Sequence, residues 1–395
     1  MGLLTARELR RAGVSVTVVE RGATGQESSW AGGGILSSLY PWRDPQAVTA
    51  LIRWSQEHYP LLARALVEET GDVQECSSAA KDRMPVTGMD VEWIQNGLLI
   101  LESDEKERAL TWANQTGVKL SLINRAEMLQ HEPLLGVVAD EAVAPGILPL
   151  ATLAPSAYAL PCTALWLPDV AQIRSPRLLK ALRHSLLASG VVIKEQTEIT
   201  RLIVRDGSIE GVETANGPMV ASKVVVTAGA WSDNLLKNIG FHSQISQVVP
   251  VRGQMILFRA IPELVTRIVV HKNHYIIPRR DGRVLAGSTV EYAGFDKSTT
   301  EHALTQLREM ALALVPELSH YEVEHHWAGL RPGLASERDG VPYIGEHPGV
   351  SGLFVNTGHF RNGVVMAPAS ARLLADIIFE RVPIVDPAPY RMDAL

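Results

Sequence analysis

Two arginines near the end of the chain carry the most chemistry. They are Arg331, in Trp327-Ala328-Gly329-Leu330-Arg331-Pro332-Gly333, and Arg361, in Gly358-His359-Phe360-Arg361-Asn362-Gly363. A planar guanidinium captures a carboxylate through two parallel hydrogen bonds, and flanking glycines let backbone approach a ligand closely. A small substrate bearing a carboxylate is therefore the first expectation; two surface arginines in ordinary turns are the plain alternative. Beyond Arg361, the residues Val364, Val365, Ala367, Ala371, Leu374, Ala375, Ile377 and Ile378 recur at helical spacing, with Pro368 tolerated in the first turns. That spacing predicts a helix whose N-terminal N–H groups sit beside Arg361 and favour negative charge.

The elements that must position such a site begin at the other end of the chain. Leu3, Leu4, Ala6, Leu9 and Ala12 mark one face of a short helix ended by Gly13, and Val14 to Val19 reads as a strand with Glu20 at its end. This is the second half of a dinucleotide-binding unit, in which an acid after the second strand bonds the adenosine ribose and the last glycine of the phosphate turn packs helix on strand. Glu20 fits the acid and Gly2 that glycine. A preceding strand and the first two glycines of the turn do not stand ahead of Gly2, so weak or absent cofactor binding is expected of the chain as it stands. Downstream, Gln26-Glu27-Ser28-Ser29-Trp30-Ala31-Gly32-Gly33-Gly34-Ile35 places hydroxyls and three glycines where a loop would pass along a bulky ligand. A flexible glycine-rich surface loop is the alternative.

Composition narrows the classes. With 395 residues and 46% hydrophobic content the chain can bury a large core and is expected to form two domains. A net charge of -6, a pI near 6.1 and the lack of basic runs argue against nucleic acid as a partner. Cys76 and Cys162 have no CxxC spacing, which points to a reducing compartment, with cytoplasm as the default, and away from a zinc site or a disulfide framework. No signal peptide is read at the N-terminus. The uncharged run Ala142 to Pro168 fails as a membrane span because Pro145, Pro149, Pro155, Pro161 and Pro168 punctuate it.

Taken in order, several motifs resemble the flavin-dependent amine oxidases of the D-amino-acid oxidase superfamily, and most closely the glycine oxidases of the thiamine pathway. They are Val18-Val19-Glu20-Arg21-Gly22, Glu27 to Gly34, Asn96-Gly97-Leu98-Leu99, Trp166-Leu167-Pro168-Asp169, Thr227-Ala228-Gly229-Ala230-Trp231-Ser232, His274 to Arg279, and the two arginine motifs. The resemblance implies non-covalent FAD, with Glu20 and Arg21 at the adenosine end, Ser28 and Ser29 near the pyrophosphate, and Gly32, Gly33 and Ile35 along the ribityl and ring. It further implies Ile199 at the adenine, Gly229 among the cofactor contacts, and Asn362, Gly363, Val364 and Val365 facing the pyrimidine edge of the flavin. Arg331 then corresponds to the arginine that holds the substrate carboxylate, Tyr275 to a tyrosine that also bonds it, and Arg361 to a second arginine at the site. Read without the resemblance, Tyr275 is equally a core tyrosine. No cysteine follows Cys162, which excludes the covalent attachment of sarcosine oxidases.

The implied activity is oxidative deamination of glycine and small related amines such as sarcosine and small D-amino acids, with molecular oxygen reduced to hydrogen peroxide. A dehydrogenase passing electrons to a quinone, and a flavin-free relic, are the alternatives. A homo-oligomer, a tetramer by resemblance, is implied as well. The expected fold class is α/β: a Rossmann-like FAD-binding domain of residues 1–89, 166–245 and 325–395, interleaved with an α+β substrate domain of 90–165 and 246–324 built on a mixed sheet. Val248 to Phe258, Ile268 to Pro278 and Val284 to Val290 read as strands of that sheet, followed by a helix over Thr300 to Val315. Segments near 72–89 and 146–163 are additional to the family's spacing and are expected as surface excursions, or as a lid or subunit contact; the turn Leu334 to Asp339 is slightly longer than the family's and is expected near the site, where it would alter access.

Overall fold

The computed structural model describes residues 1–71, 88–101, 104–136, 161–237, 247–335 and 340–393. The expected excursions therefore lie largely outside the described residues. In chain order the first half holds α1 (Gly2–Arg11), β1 (Thr17–Val19), α2 (Ser28–Ala31), α3 (Gln46–Glu69), β2 (Ile94–Gln95), β3 (Leu98–Ile100), α4 (Lys106–Thr116), β4 (Ser121–Asn124), α5 (Arg125–His131), β5 (Thr163–Leu167), β6 (Ala171–Gln172) and α6 (Ser175–Ala188). Then come β7 (Val192–Lys194), β8 (Ile199–Arg205), β9 (Ser208–Thr214), β10 (Gly217–Val220), β11 (Val224–Val226) and α7 (Ser232–Leu236). The chain closes with β12 (Val248–Phe258), β13 (Ile268–His271), β14 (His274–Pro278), β15 (Val284–Gly287), α8 (Glu301–Leu314), β16 (Val323–Leu334), β17 (Tyr343–Glu346), β18 (Leu353–Thr357) and α9 (Gly363–Ile378).

The largest sheet runs β16-β12-β15-β14-β13-β3-β5-β4, antiparallel except for the β13–β3 pair. Its strands alternate sides with period two. Ile256, Phe258, Ile276 and Ala286 face the layer formed with α8, whose Leu307, Met310, Ala311 and Leu314 recur at helical spacing. Burying a leucine such as Leu307, fully shielded here, contributes about 1.5–3 kcal/mol relative to exposure. Met255, Tyr275, Ile277 and Leu285 face the opposite way. The single strand expected over Ile268 to Pro278 is a hairpin, because Lys272 and Asn273 both adopt positive φ and reverse the chain. The strand expected to reach Val290 ends at Gly287, where pairing with β12 stops. Both β5 and β16 straddle the expected domain boundaries and belong to this sheet.

The nucleotide-binding half is assembled from smaller sheets. β1 pairs in parallel with β7, β11 pairs in parallel with β18, and β8-β9-β10 form an antiparallel unit. Helices α1, α3, α6 and α9 share one core through Leu3, Leu51, Leu66, Leu182 and Leu374. Proline in a helix interior removes the bond to the carbonyl four residues back. For Pro368 in α9 that carbonyl is Val364's, and it accepts the hydroxyl of the buried Tyr59 on α3 instead. Burial pushes the Tyr59 phenol well above its ordinary range, so it remains a donor. The next N–H, that of Ala369, donates to Ser55 Oγ at 3.1 Å. The helix is thus continuous across its proline, and its N-terminus is fixed by α3.

Candidate active site

A cleft of about 700 Å³ runs between the small parallel sheets and on to the face of the large one that carries Met255 and Tyr275. It is walled by the start of α1, the end of β1, the α2–glycine loop, the start of β8, the turn after β11, and the start of α9. Its floor at the far end is the large sheet. Gly2, Glu20, Arg21, Ser28, Ser29, Gly32, Gly33, Ile35, Ile199, Gly229, Asn362, Gly363 and Val364 all line it, and so do Tyr275, Arg331 and Arg361. Val365 does not. Its side chain points into the α1–α3–α9 core, so only its backbone N–H in the first turn of α9 could reach a ligand.

The sheet floor explains how the substrate end is built. Register places Trp327, Met255, Gly287 and Tyr275 in one row across β16, β12, β15 and β14. Two residues further along, Gly253 lies opposite Gly329, and Arg331 opposite Val251. Gly253 leaves a trough: a Cβ there would lie 2.1 Å from Arg331 Nη1 and 2.2 Å from Nη2. Gly287 leaves another, filled by the Tyr275 ring and Met255, whose atoms would stand 3.1 Å from a Cβ. Within its trough, Arg331 donates from Nη2 to Ser288 Oγ at 2.8 Å and from Nη1 to the Thr289 carbonyl at 3.0 Å. Arg361, in a short turn after Phe360, donates to the Asn273 carbonyl at the β13–β14 hairpin tip at 3.0 Å. Phe360 holds φ at 45°, a left-handed conformation that bulky residues rarely adopt, and so aims that turn.

Among the described residues neither Arg331 nor Arg361 has a carboxylate within ion-pair distance. Burial pulls the Arg331 guanidinium below its ordinary pKa; Tyr275 offsets this in part and Arg361 adds to it. Two such cations converging at the end of a cleft form a site for an anion.

The opposite end has the chemistry of a nucleotide site. Glu20 accepts from the Gly22 N–H at 2.9 Å, which holds its carboxylate at the end of β1. Arg21 lies over the Trp231 ring, 4.6 Å from its centroid, and pairs with Glu27 at 3.6 Å. The Ser28 hydroxyl donates to the Leu330 carbonyl, tying α2 to β16. In the loop that follows, a Cβ would fall 3.3 Å from Val364 at Gly32, 2.8 Å from Ile277 at Gly33, and 1.9 Å from the Ile173 carbonyl at Gly34. Only a glycine run lets this loop be pressed between α9 and β14 and still pass along a ligand. The cleft volume, the glycine cradle and the α9 N-terminus together fit a long dinucleotide with a flat ring at the arginine end.

Sequence reading missed the residues that hold the arginines and Tyr275. Gly253, Met255, Ser288, Thr289 and the Asn273 carbonyl are set by strand register and hairpin geometry; only the glycine of Val251-Arg252-Gly253-Gln254 carried a signal, as a gap within an apolar strand. No group of three or more His, Cys, Asp or Glu side chains placed to hold a metal occurs among the described residues, and none of their helices is long and apolar enough to cross a membrane.

Comparison with known proteins agrees with this geometry. Residues 1–377 match the model of the FAD dependent oxidoreductase family, and the chain belongs to that family. FAD is thus its cofactor, and its fold is the family's α/β fold. Within the family it is similar to "Glycine oxidase" of Pseudomonas aeruginosa, 45% identical over 392 residues that cover 99% of this chain and 95% of that protein. It is 28% identical to "Bifunctional protein ThiO/ThiG" of Trichormus variabilis over 96% of this chain and 51% of that protein. Among solved structures, glycine oxidase from Geobacillus kaustophilus superimposes with a TM-score of 0.84 at 27% identity, covering 100% of this chain and 96% of that one.

Proposed function

We propose that this protein is an FAD-dependent oxidase that deaminates glycine and related small amines bearing a carboxylate, including sarcosine and small D-amino acids. The observation that carries the reading is the pair of guanidinium groups that have no acidic partner among the described residues at the ring end of the cleft. Arg331, fixed by its bonds to Ser288 and Thr289, holds the substrate carboxylate with its remaining N–H groups. Tyr275 donates its hydroxyl to the same carboxylate, and Arg361 adds positive charge from the hairpin side. Two nearby cations also favour the neutral form of the substrate amine, the form whose lone pair can develop into a C=N bond. When bound, FAD supplies the acceptor for the Cα hydrogen with its two electrons and passes those electrons to dioxygen, giving hydrogen peroxide. Gly32, Gly33, Ile35 and the N-terminus of α9 would hold the ring, and Glu20 and Ile199 the adenosine end. The imine product is released for hydrolysis or for use as the glycine-derived unit of thiamine thiazole synthesis, a place consistent with the similarity to the bifunctional relative.

The same reading includes a division into an FAD-binding part and a substrate part on the large sheet, a cytoplasmic location, and a homo-oligomer, a tetramer by resemblance. Oxygen uptake by purified protein with glycine, sarcosine and D-alanine, with peroxide measured in parallel, tests the activity. Turnover that needs a quinone and consumes no oxygen would replace the oxidase by a dehydrogenase.

A further inference from the structure

Arg279 is a buried cation that the mechanism above leaves unused. It follows β14, whose Tyr275 and Ile277 lie on the cleft-facing side, and continues their alternation. Its side chain is almost wholly shielded, and no carboxylate among the described residues pairs with it. The nearest acids are engaged elsewhere: Glu92 and Asp281 both bond Arg174, at 3.1 and 2.8 Å. The Arg279 guanidinium donates instead to the Gly33 carbonyl at 2.6 Å, to Gln172 Oε1 at 2.8 Å and to the Ile173 carbonyl at 3.4 Å. Burial brings its pKa down to about 10, so it keeps its charge at neutral pH.

The bond to Gly33 has a geometric consequence. Across a planar trans peptide the C=O and the following N–H point in opposite directions. With the Gly33 carbonyl drawn back to Arg279, the Gly34 N–H points away from the guanidinium. Gly34 lines the cleft. Its own position is locked, since its carbonyl accepts from the Ile173 N–H at 2.9 Å and a Cβ would collide with the Ile173 carbonyl.

We propose that Arg279 is a positioning residue for the flavin: it turns the Gly33–Gly34 peptide so that its N–H is presented to the cofactor, and it places an unneutralised positive charge behind the glycine cradle. The inference rests on FAD occupying the cleft. A fixed donor raises affinity for the cofactor, and a fixed positive charge favours its more negative, reduced state. Plain structural support would do neither.

The test uses the FAD-bound protein and its apoprotein with Arg279→Met and Arg279→Lys. FAD dissociation constants are read from flavin fluorescence, midpoint potentials from anaerobic dye equilibration, and folding from thermal melts of the apoprotein. Arg279→Met should weaken FAD binding tenfold or more and move the midpoint to more negative values. Arg279→Lys keeps the charge but cannot span three acceptors; it should weaken binding at least threefold with a smaller shift in potential. Whichever variant folds, a lower melting temperature with unchanged FAD affinity and potential makes Arg279 a strut and overturns the proposal. Wild-type protein that takes up no FAD removes the reading on which the inference rests, and is distinguished from the first failure by the wild-type titration alone.

Discussion

Gly253→Ala tests the substrate end without touching a charged group. The new Cβ would stand 2.1 Å from Nη1, 2.2 Å from Nη2 and 2.3 Å from Cζ of Arg331, where ordinary contacts begin near 3.4 Å. The strand itself accepts alanine, because Gly253 does not use a positive φ and the obstacle is the far end of a flexible side chain. The guanidinium must therefore leave its trough by about 1 Å or more, stretching its bonds to Ser288 and Thr289 beyond hydrogen-bond range. A hydrogen bond to a charged group contributes about 1.5–3 kcal/mol. Losing the aligned fork should thus weaken carboxylate binding by about 2–4 kcal/mol, roughly 30- to 1,000-fold. The assay is the KM for glycine from oxygen uptake, together with the Kd of a carboxylate that cannot be oxidised, such as acetate, from the perturbed flavin spectrum. FAD affinity and melting temperature should change little. In a double-mutant cycle, Gly253→Ala should add almost nothing once Arg331 is alanine. A folded Gly253→Ala protein with wild-type KM and acetate affinity would refute the placement of the carboxylate at Arg331.

Removing the fork outright, Arg331→Ala should weaken amino-acid binding by about 3 kcal/mol or more while FAD stays bound, and Arg331→Lys should recover only part, since a point charge cannot reproduce two parallel donors. Steady-state kinetics beside flavin titration check both. Tyr275→Phe should raise the apparent substrate constant by about 0.5–2 kcal/mol and leave the flavin spectrum nearly unchanged; lost thermal stability with intact kinetics would return Tyr275 to a core role. His359 is buried against Ser370, Nε2 to Oγ 3.1 Å, and burial lowers its pKa to about 3. The unfolded chain protonates this histidine near pH 6.5 and the folded chain does not, so its contribution to stability is complete above that pH and is lost progressively as pH falls toward 3. Urea unfolding at pH 6.5 and 5 should therefore show about 1–2 kcal/mol less loss in His359→Asn than in wild type; parallel losses would contradict the assignment.

Much of the fold is written in local pattern. The α9 helix is legible because apolar residues recur every three or four positions after Asn362-Gly363, and β12 because the run from Val248 to Phe258 is rich in apolar residues, with Pro250 and Gly253 its only breakers. The Ile268–Pro278 hairpin was hidden because Lys272-Asn273 is not among the usual turn pairs, yet both residues adopt positive φ. The motif residues that line the cleft come from segments far apart in sequence, and only their resemblance to a family named them together. What the pattern could not give is register. That Gly253 lies beneath Arg331, that Ser288 and Thr289 hold it, and that Arg279 reaches back to Gly33 all depend on which strands are neighbours. Val365 illustrates the opposite case: it sits next to Val364 in the motif, but one step along a helix turns its side chain by about 100° into the core.

Anaerobic titration of the purified, FAD-bound protein with glycine tests the central claim most directly. The oxidised flavin absorption should bleach as glycine is added, and on admitting oxygen it should return with one hydrogen peroxide formed per flavin reoxidised. A flavin spectrum that glycine, sarcosine and D-alanine all leave unchanged would contradict the account.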